Sequence, residues 1–367
     1  MIVQPTTELR FPAAHRVLED AVLARAFPGA AYGVLLDGKV AALNTVGRFT
    51  YDMASPRVTP STVFDLASLS KVIATTAMAM LLYDRQLLNL DSKLSDIIPG
   101  FVVDAEPGSD RHRVTIRSLL AHSSGLPAYA RLFERHHSPQ AMLRAALLVP
   151  LECPPDTRVE YSDIGFILLG KALDVIAKER LDGFFRDQIV VPLGLETARF
   201  CPPPEWRDRI PPTERDGTFR HRVIQGEVQD ENCYALGGVS GHAGVFSNCK
   251  DVLRFAGCFL ANGKTESGRQ FIRPETVKLF ATRPPKPEGT TRALGWDTPS
   301  QPSSSGKHFS PQSIGHLGFS GTSLWIDPVR RLAVVLLTNR TWPDRANNTI
   351  QEVRPAFHDA IAAALSR

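Results

Sequence analysis

Phe64-Asp65-Leu66-Ala67-Ser68-Leu69-Ser70-Lys71 runs directly into Val72-Ile73-Ala74-Thr75-Thr76-Ala77-Met78-Ala79-Met80-Leu81-Leu82-Tyr83, and the fold is decided by how this stretch is read. From Val72 to Tyr83 there is no charge, so the segment is expected to form a helix that is apolar all round and runs through a protein interior. Residues three apart on a helix share a face. Ser68 and Lys71 therefore point at one spot, hydroxyl beside amine, as a nucleophile and its base. Burial favours the neutral form of Lys71, the form able to take a proton from Ser68.

Ser-x-x-Lys occurs at Ser68, Ser247 and Ser304. The third copy lies in Pro302-Ser303-Ser304-Ser305-Gly306-Lys307, a loop that cannot hold a serine against a base. The second opens a helix expected over Asp251–Leu260, where Ser247 reads as its N-cap. Only the first has a strand-like lead-in, Val63 to Leu66, and a charge-free helix behind it.

A chain of 367 residues is longer than most single cores, so two lobes or a large α/β unit with an insertion are expected. With 43% hydrophobic residues, 22% charged residues and a net charge of +4, the surface is not that of a nucleic-acid or acidic-membrane binder. Five cysteines without a Cys-x-x-Cys pair indicate free thiols rather than a disulfide framework or zinc knuckle. The N-terminus lacks the basic and apolar pattern of a secretory signal, which points to a cytoplasmic chain unless a leader was removed. No run reaches the ~18 apolar residues of a membrane helix.

A first helix is expected over His15 to Phe27, stopped by Pro28-Gly29. Asp37-Gly38 joins two apolar runs as a hairpin, so the sheet begins antiparallel. From Asp84 to about Ala235 the pattern is mainly helical, with candidates at Thr115–Ala121, Pro139–Val149, Gly165–Lys178 and Leu181–Val190. Strand character returns at Ile314–Leu317, Thr322–Ile326 and Leu332–Leu337, and a helix over Thr349–Leu365 closes the chain. Arg283 to Gln312, rich in Pro and Ser, reads as a long surface excursion. The fold class is α/β of the α+β type, an antiparallel sheet flanked by helices. Residues 1–70 and 236–367 form a discontinuous sheet domain, 71–235 form a mainly helical insert, and the active site lies at their interface.

A Ser/Lys pair needs a second proton relay and a group to receive substrate. Tyr161-Ser162-Asp163 stands directly before a helix, which Ser162 or Asp163 can cap. His316-Leu317-Gly318-Phe319-Ser320-Gly321-Thr322 is a glycine-interrupted strand, a pattern that marks a bend or close approach by a ligand. In this order the three elements resemble the serine β-lactamase and penicillin-binding-protein family, with its Ser-x-x-Lys, Tyr-x-Asn and Lys/His-Thr-Gly motifs. Leu119 to Pro127, Pro192 to Leu195 and Gly237 to Gly244 look like segments of its class C branch. The resemblance implies a β-lactamase/transpeptidase-like fold and a serine hydrolase that forms an acyl-enzyme on an amide or ester, without a cofactor. A small molecule or peptide would be the substrate, and the oligomeric state stays open. Ser68 would be the nucleophile, Lys71 its base and Tyr161 the proton relay to the leaving group. Backbone N–H groups of Ser68 and Phe319 would form the oxyanion hole, and Asp163, His316 and Gly318 would line the cleft.

Two departures from the family pattern shape the expectation. Asp163 stands where Asn is usual, which adds a charge beside Lys71. His316 stands where class C β-lactamases have lysine, so a DD-peptidase or esterase is preferred to an efficient β-lactamase. His316 is expected to receive a substrate carboxylate weakly, and better as pH falls from 8 to 5.5. Leu317 in place of Thr loses a hydroxyl. The competing classes fit less well. Gly-x-Ser-x-Gly of the α/β-hydrolases is absent, and Gly237 to Gly244 lacks the ending of a phosphate loop. The ten histidines show no tight ligand spacing. A non-catalytic binding module on the same fold is the alternative from another class.

Overall fold

The computed structural model describes residues 9–365; the N-terminal stretch on which the leader expectation falls begins outside them. β1 (Gly29–Leu36) and β2 (Lys39–Gly47) form the expected hairpin, with Asp37 and Gly38 both at positive φ, 50° and 76°. That is the turn whose twist matches antiparallel strands. Five short strands follow: β3 (Phe64–Asp65), β4 (Arg199–Phe200), β5 (Glu214–Asp216), β6 (Arg222–Ile224) and β7 (Val245–Ser247). β8 (Ile314–Leu317), β9 (Ser323–Asp327) and β10 (Leu332–Thr338) then complete the main sheet in the order β2-β1-β10-β9-β8, antiparallel throughout.

β10 is buried at every residue because both faces of the sheet are covered. Alternate side chains point to opposite faces. Leu332, Val334 and Leu336 pack with the helices Pro12–Leu23 and Ile350–Leu365. Ala333, Val335 and Leu337 pack toward the helix Cys249–Leu260 and the larger core. The α+β class read from the sequence is the class of the fold. The long block after the central helix carries the expected helices Ile116–Leu120, Pro139–Leu148 and Asp163–Ala177, and also β4, β5 and β6.

The central element is helical and buried, with a π-helical stretch Lys71–Thr76 running into the α-helix Ala77–Asp84. It follows β3 and a 3-10 turn, Ala67–Leu69. Two sequence readings are corrected. Ser247 is the last residue of β7, and the cap of the next helix is Asn248, whose side chain accepts from Asp251 N–H. With the cap supplied one residue later, Ser247 stays in the strand and pairs with Phe64. Within 283–312, Ala293, Leu294 and Trp296 are core residues, and Asp297 exchanges two backbone hydrogen bonds with Gly315 of β8. An apolar run too large to leave in water pulls that segment inward.

The Gly237–Gly244 run allows close approach at Gly241. A Cβ there would lie 2.1 Å from the Phe166 carbonyl and 2.9 Å from Gly170 Cα, so the loop packs backbone to backbone on the helix Asp163–Ala177. Gly241→Ala should lower stability by about 1–3 kcal/mol through overpacking, read as a fall in thermal midpoint. Gly100→Ala is the control. Its added carbon meets only Leu147 Cδ1, at 3.6 Å, so stability should stay within ~0.5 kcal/mol. Equal midpoints for the two variants would refute the close-packing account.

Candidate active site

Ser68 is partly exposed in an otherwise buried stretch, at the floor of a cleft of about 580 Å³. The turn that presents it is strained. Ala67 has φ +47°, a region that non-glycine residues seldom occupy. Asp65 holds it there: one carboxylate oxygen accepts Ala67 N–H at 2.9 Å and the other accepts Gln229 N–H at 2.8 Å. Burial pushes the Asp65 carboxyl up to about 6, against the pull of those two hydrogen bonds.

Lys71 is fully buried and donates three hydrogen bonds, to Ser68 Oγ at 3.0 Å, Asp163 Oδ1 at 2.7 Å and the His242 carbonyl at 3.0 Å. An ammonium has three donors and no acceptor. Burial pulls the amine down, but the Asp163 carboxylate and Tyr161 outweigh it, and its pKa lies above the ordinary lysine value. The expected neutral Lys71 is therefore corrected: the carboxylate beside it keeps it a cation. Asp163 opens the helix Asp163–Ala177, which Ser162 caps by accepting Gly165 N–H. Of the two capping residues read from the sequence, Ser162 makes the cap and Asp163 is left to face Lys71.

Tyr161 stands beside the pair, its ring centroid 4.8 Å from Lys71 Nζ. Burial lifts its phenol above the ordinary value although Lys71 pulls the other way, so the hydroxyl keeps its proton near neutrality. His122 supports it. The two rings pack at a tilt of 35° with centroids 4.6 Å apart, and His122 Nδ1 accepts Ser162 N–H at 3.0 Å.

On the opposite wall, the turn after β8 is closed by Gly318 N–H to the Thr322 carbonyl at 2.7 Å and tied to the Ser68 side by Ser320 Oγ to the Asp65 carbonyl and Thr322 Oγ1 to the Leu66 carbonyl. A Cβ on Gly318 would strike Thr322 Oγ1 at 2.0 Å. Arg354 donates to the Gly318 and Thr322 carbonyls, and Arg340 donates to that of Phe319. Phe319 itself is 48% exposed at the cleft edge. Among the described residues no protein acceptor pairs with the backbone N–H of Ser68 or of Phe319.

His316 lines the cleft but is buried, and its Nδ1 donates to the Leu317 carbonyl at 2.8 Å. That bond places the ring proton on Nδ1 and leaves Nε2 a buried acceptor with no partner among the described residues. Burial, with Lys71 and Arg292 adding positive charge, pushes the ring well below its ordinary value. The expected cationic carboxylate receptor is corrected to a neutral hydrogen-bond acceptor. A cation facing Tyr161 on this wall is Arg292, missed in the sequence because it sits in the segment read as surface. It faces Tyr161 with its guanidinium carbon 5.2 Å from the ring centroid, and its nearest carboxylate, Asp297, is 3.8 Å away. The structure thus brings Ser68, Lys71, Tyr161, Asp163, His316, Gly318 and Phe319 to one cleft and adds Asp65, His242 and Arg292.

Comparison with known proteins gives the family and the fold. The family model described as Beta-lactamase matches residues 14–354. A protein of Escherichia coli (strain K12) named "Putative D-alanyl-D-alanine carboxypeptidase" is 33% identical over 312 residues, 77% of this chain and 70% of its own length. Among solved structures, a penicillin-binding-protein homologue from Caulobacter crescentus superposes with a TM-score of 0.77 at 18% identity, covering 99% of this chain and 100% of its own. A class C β-lactamase from Rhodobacter sphaeroides gives 0.71 at 21%, covering 96% and 99%. EstCE1, a hydrolase with promiscuous acyltransferase activity, gives 0.77 at 22%, covering 96% and 98%.

The His316 ring should stay neutral with its proton on Nδ1 from pH 8 to 5.5, because burial and two nearby cations disfavour a further charge. Long-range proton–nitrogen spectra of ring-labelled protein read this directly. A ring that becomes doubly protonated near pH 6.5 would restore the cationic receptor.

Proposed function

The chain belongs to the beta-lactamase family and is a serine hydrolase working through an acyl-enzyme; on that premise we propose that it cleaves an amide or ester whose leaving side ends in a carboxylate, as a D-alanyl-D-alanine peptide does. The observation that carries this reading is Lys71 Nζ 3.0 Å from Ser68 Oγ in a cleft whose far wall bears Arg292. In this reading Ser68 attacks the carbonyl. The developing oxyanion is received by the N–H groups of Ser68 and Phe319, donors that otherwise lack a protein acceptor. Tyr161, still carrying its proton, passes it to the leaving group. Water then hydrolyses the ester on Ser68. Gly318 lets the turn close on Thr322 and Leu66, where a Cβ would not fit, and the neutral His316 adds no charge to that wall.

Arg292 is the carboxylate receptor in this account, since a guanidinium keeps its charge over the working range. The name of the Escherichia coli relative supports a D-alanyl-D-alanine substrate. An esterase reading has its own support in the neutral His316 and in the share of Arg292's charge that Asp297 offsets. We further read 1–70 with 236–367 as the sheet domain and 71–235 as the insert. Support comes from the origins of the two walls, His316 and Phe319 from the first and Tyr161 and Asp163 from the second.

Hydrolysis of a D-Ala-D-Ala peptide, a chromogenic cephalosporin and short nitrophenyl esters separates the readings. Ser68→Ala and Lys71→Ala should each abolish labelling by a fluorophosphonate, because nucleophile and amine act as a unit. Wild-type labelling in Ser68→Ala would sink the assignment. Arg292→Gln should raise KM for the peptide about tenfold to a hundredfold, the loss of one charged hydrogen bond of ~1.5–3 kcal/mol. The neutral esters should be little affected. Equal losses on peptide and ester would remove Arg292 from carboxylate recognition.

A further inference from the structure

The three donors of Lys71 are all engaged, and one of them points at Ser68. An ammonium that donates to a serine hydroxyl cannot take that hydroxyl's proton until it has lost one of its own. The His242 partner is an amide carbonyl, which has no useful basicity, and Ser68 is the proton's source. Asp163 Oδ1 at 2.7 Å is the one partner able to hold a proton.

We propose that Asp163 is a catalytic proton store, receiving through Lys71 the proton that Ser68 gives up during acylation. This rests on the acyl-enzyme reading above. As the Ser68 Oγ–carbonyl bond forms, the Ser68 O–H bond breaks toward Lys71 Nζ, and one Lys71 N–H bond breaks toward Asp163 Oδ1. Lys71 ends as it began, an ammonium, and Asp163 is a neutral acid. On collapse of the tetrahedral intermediate the carbon–leaving-group bond breaks, and the leaving group takes the Tyr161 proton. Tyr161 is reprotonated by Lys71, and Lys71 by Asp163. Protons and electrons balance with no further reactant.

A base of this kind has its own pH signature. If Lys71 had to be neutral beforehand, kcat/KM would fall tenfold per unit below an amine pKa that lies above the ordinary lysine value. A relay to Asp163 needs only that the carboxylate be ionised. Activity then holds to low pH. Other groups face the pair: Tyr161, His122 and Tyr129 from the Asp163 side, and His316 from β8. Both histidines are held neutral by burial, and both phenols are raised by it. Asp230 with its partner His242, Glu231 and Arg292 complete the surroundings.

The test is the pH dependence of kcat/KM for a neutral ester, with fluorophosphonate labelling followed in parallel. Wild type should be nearly flat from about pH 9 to 6. Asp163→Asn removes the store and forces Lys71 to act as a neutral base. Its limb should move toward alkaline pH by more than about one unit, since the lysine must then lose a proton to solvent before each attack. Asp163→Glu should keep the limb near that of wild type. A wild-type slope of one throughout pH 6–9, or limbs that coincide in wild type and Asp163→Asn, would overturn the relay. The wild-type profile decides the matter even if the variant fails to fold. Absence of labelling at Ser68 at any pH would instead defeat the acyl-enzyme reading on which the relay rests.

Discussion

A lysine ammonium with no exposed surface must be given three acceptors, and most of the site follows from that requirement. Breaking a buried ion pair by removing one partner costs about 3–5 kcal/mol; with the Asp163 side chain 20% exposed, water softens the loss on that side. The three acceptors come from separate places: the turn Ala67–Leu69, the start of the helix Asp163–Ala177 and the loop at His242. The backbone contact between Gly170 and Gly241 sets the spacing of the last two, and Thr75 Oγ1 fixes the loop again by donating to the Gly241 carbonyl at 2.7 Å. A methyl group at this contact therefore disturbs the charge balance at Lys71 as well as the packing.

The rest of the site obeys a complementary rule, in which burial keeps polar groups neutral and leaves charge to a few residues. His122 and His316 each lend one ring nitrogen to the backbone, and this fixes which nitrogen carries the proton. Neither competes with Lys71 for a proton. Asp65 is different, since its carboxylate is buried to hold two N–H groups rather than to react. The strain at Ala67 is thereby offset locally, and Ser68 is presented without any reorganisation when substrate arrives.

Much of this was legible in the sequence because the relevant signals are local. The charge-free helix, the Asp-Gly hairpin, the capped helix at Ser162 and the three late strands each follow from patterns a few residues long, and the motif order joined Ser68, Lys71, Tyr161 and His316 across some 250 positions. What escaped depends on contacts distant in the chain. The charge state of Lys71 is set by a residue 92 positions away, and burial alone pointed the wrong way. The state of His316 depends on its own neighbour's carbonyl and on Arg292, whose role was hidden in a stretch with the composition of a loop. The apolar residues Ala293, Leu294 and Trp296 beside it were the signal that could have placed that arginine inside.

The turn that carries Phe319 draws its anchors from late in the chain, Arg340 and Arg354, and β1 pairs with β10, some 300 residues downstream. While the protein is being synthesised, Ser68, Lys71 and Tyr161 leave the ribosome long before those anchors do. A nascent chain can hold the nucleophile and its amine yet lack the wall that receives the oxyanion. The first strand waits unpaired on its inner edge until β10 emerges, and such long-range pairing is slow and exposes apolar surface. Hydrolytic competence should therefore arrive abruptly, once β10 and the helix carrying Arg354 have emerged, with chaperone contact concentrated on the β1–β2 hairpin before that point.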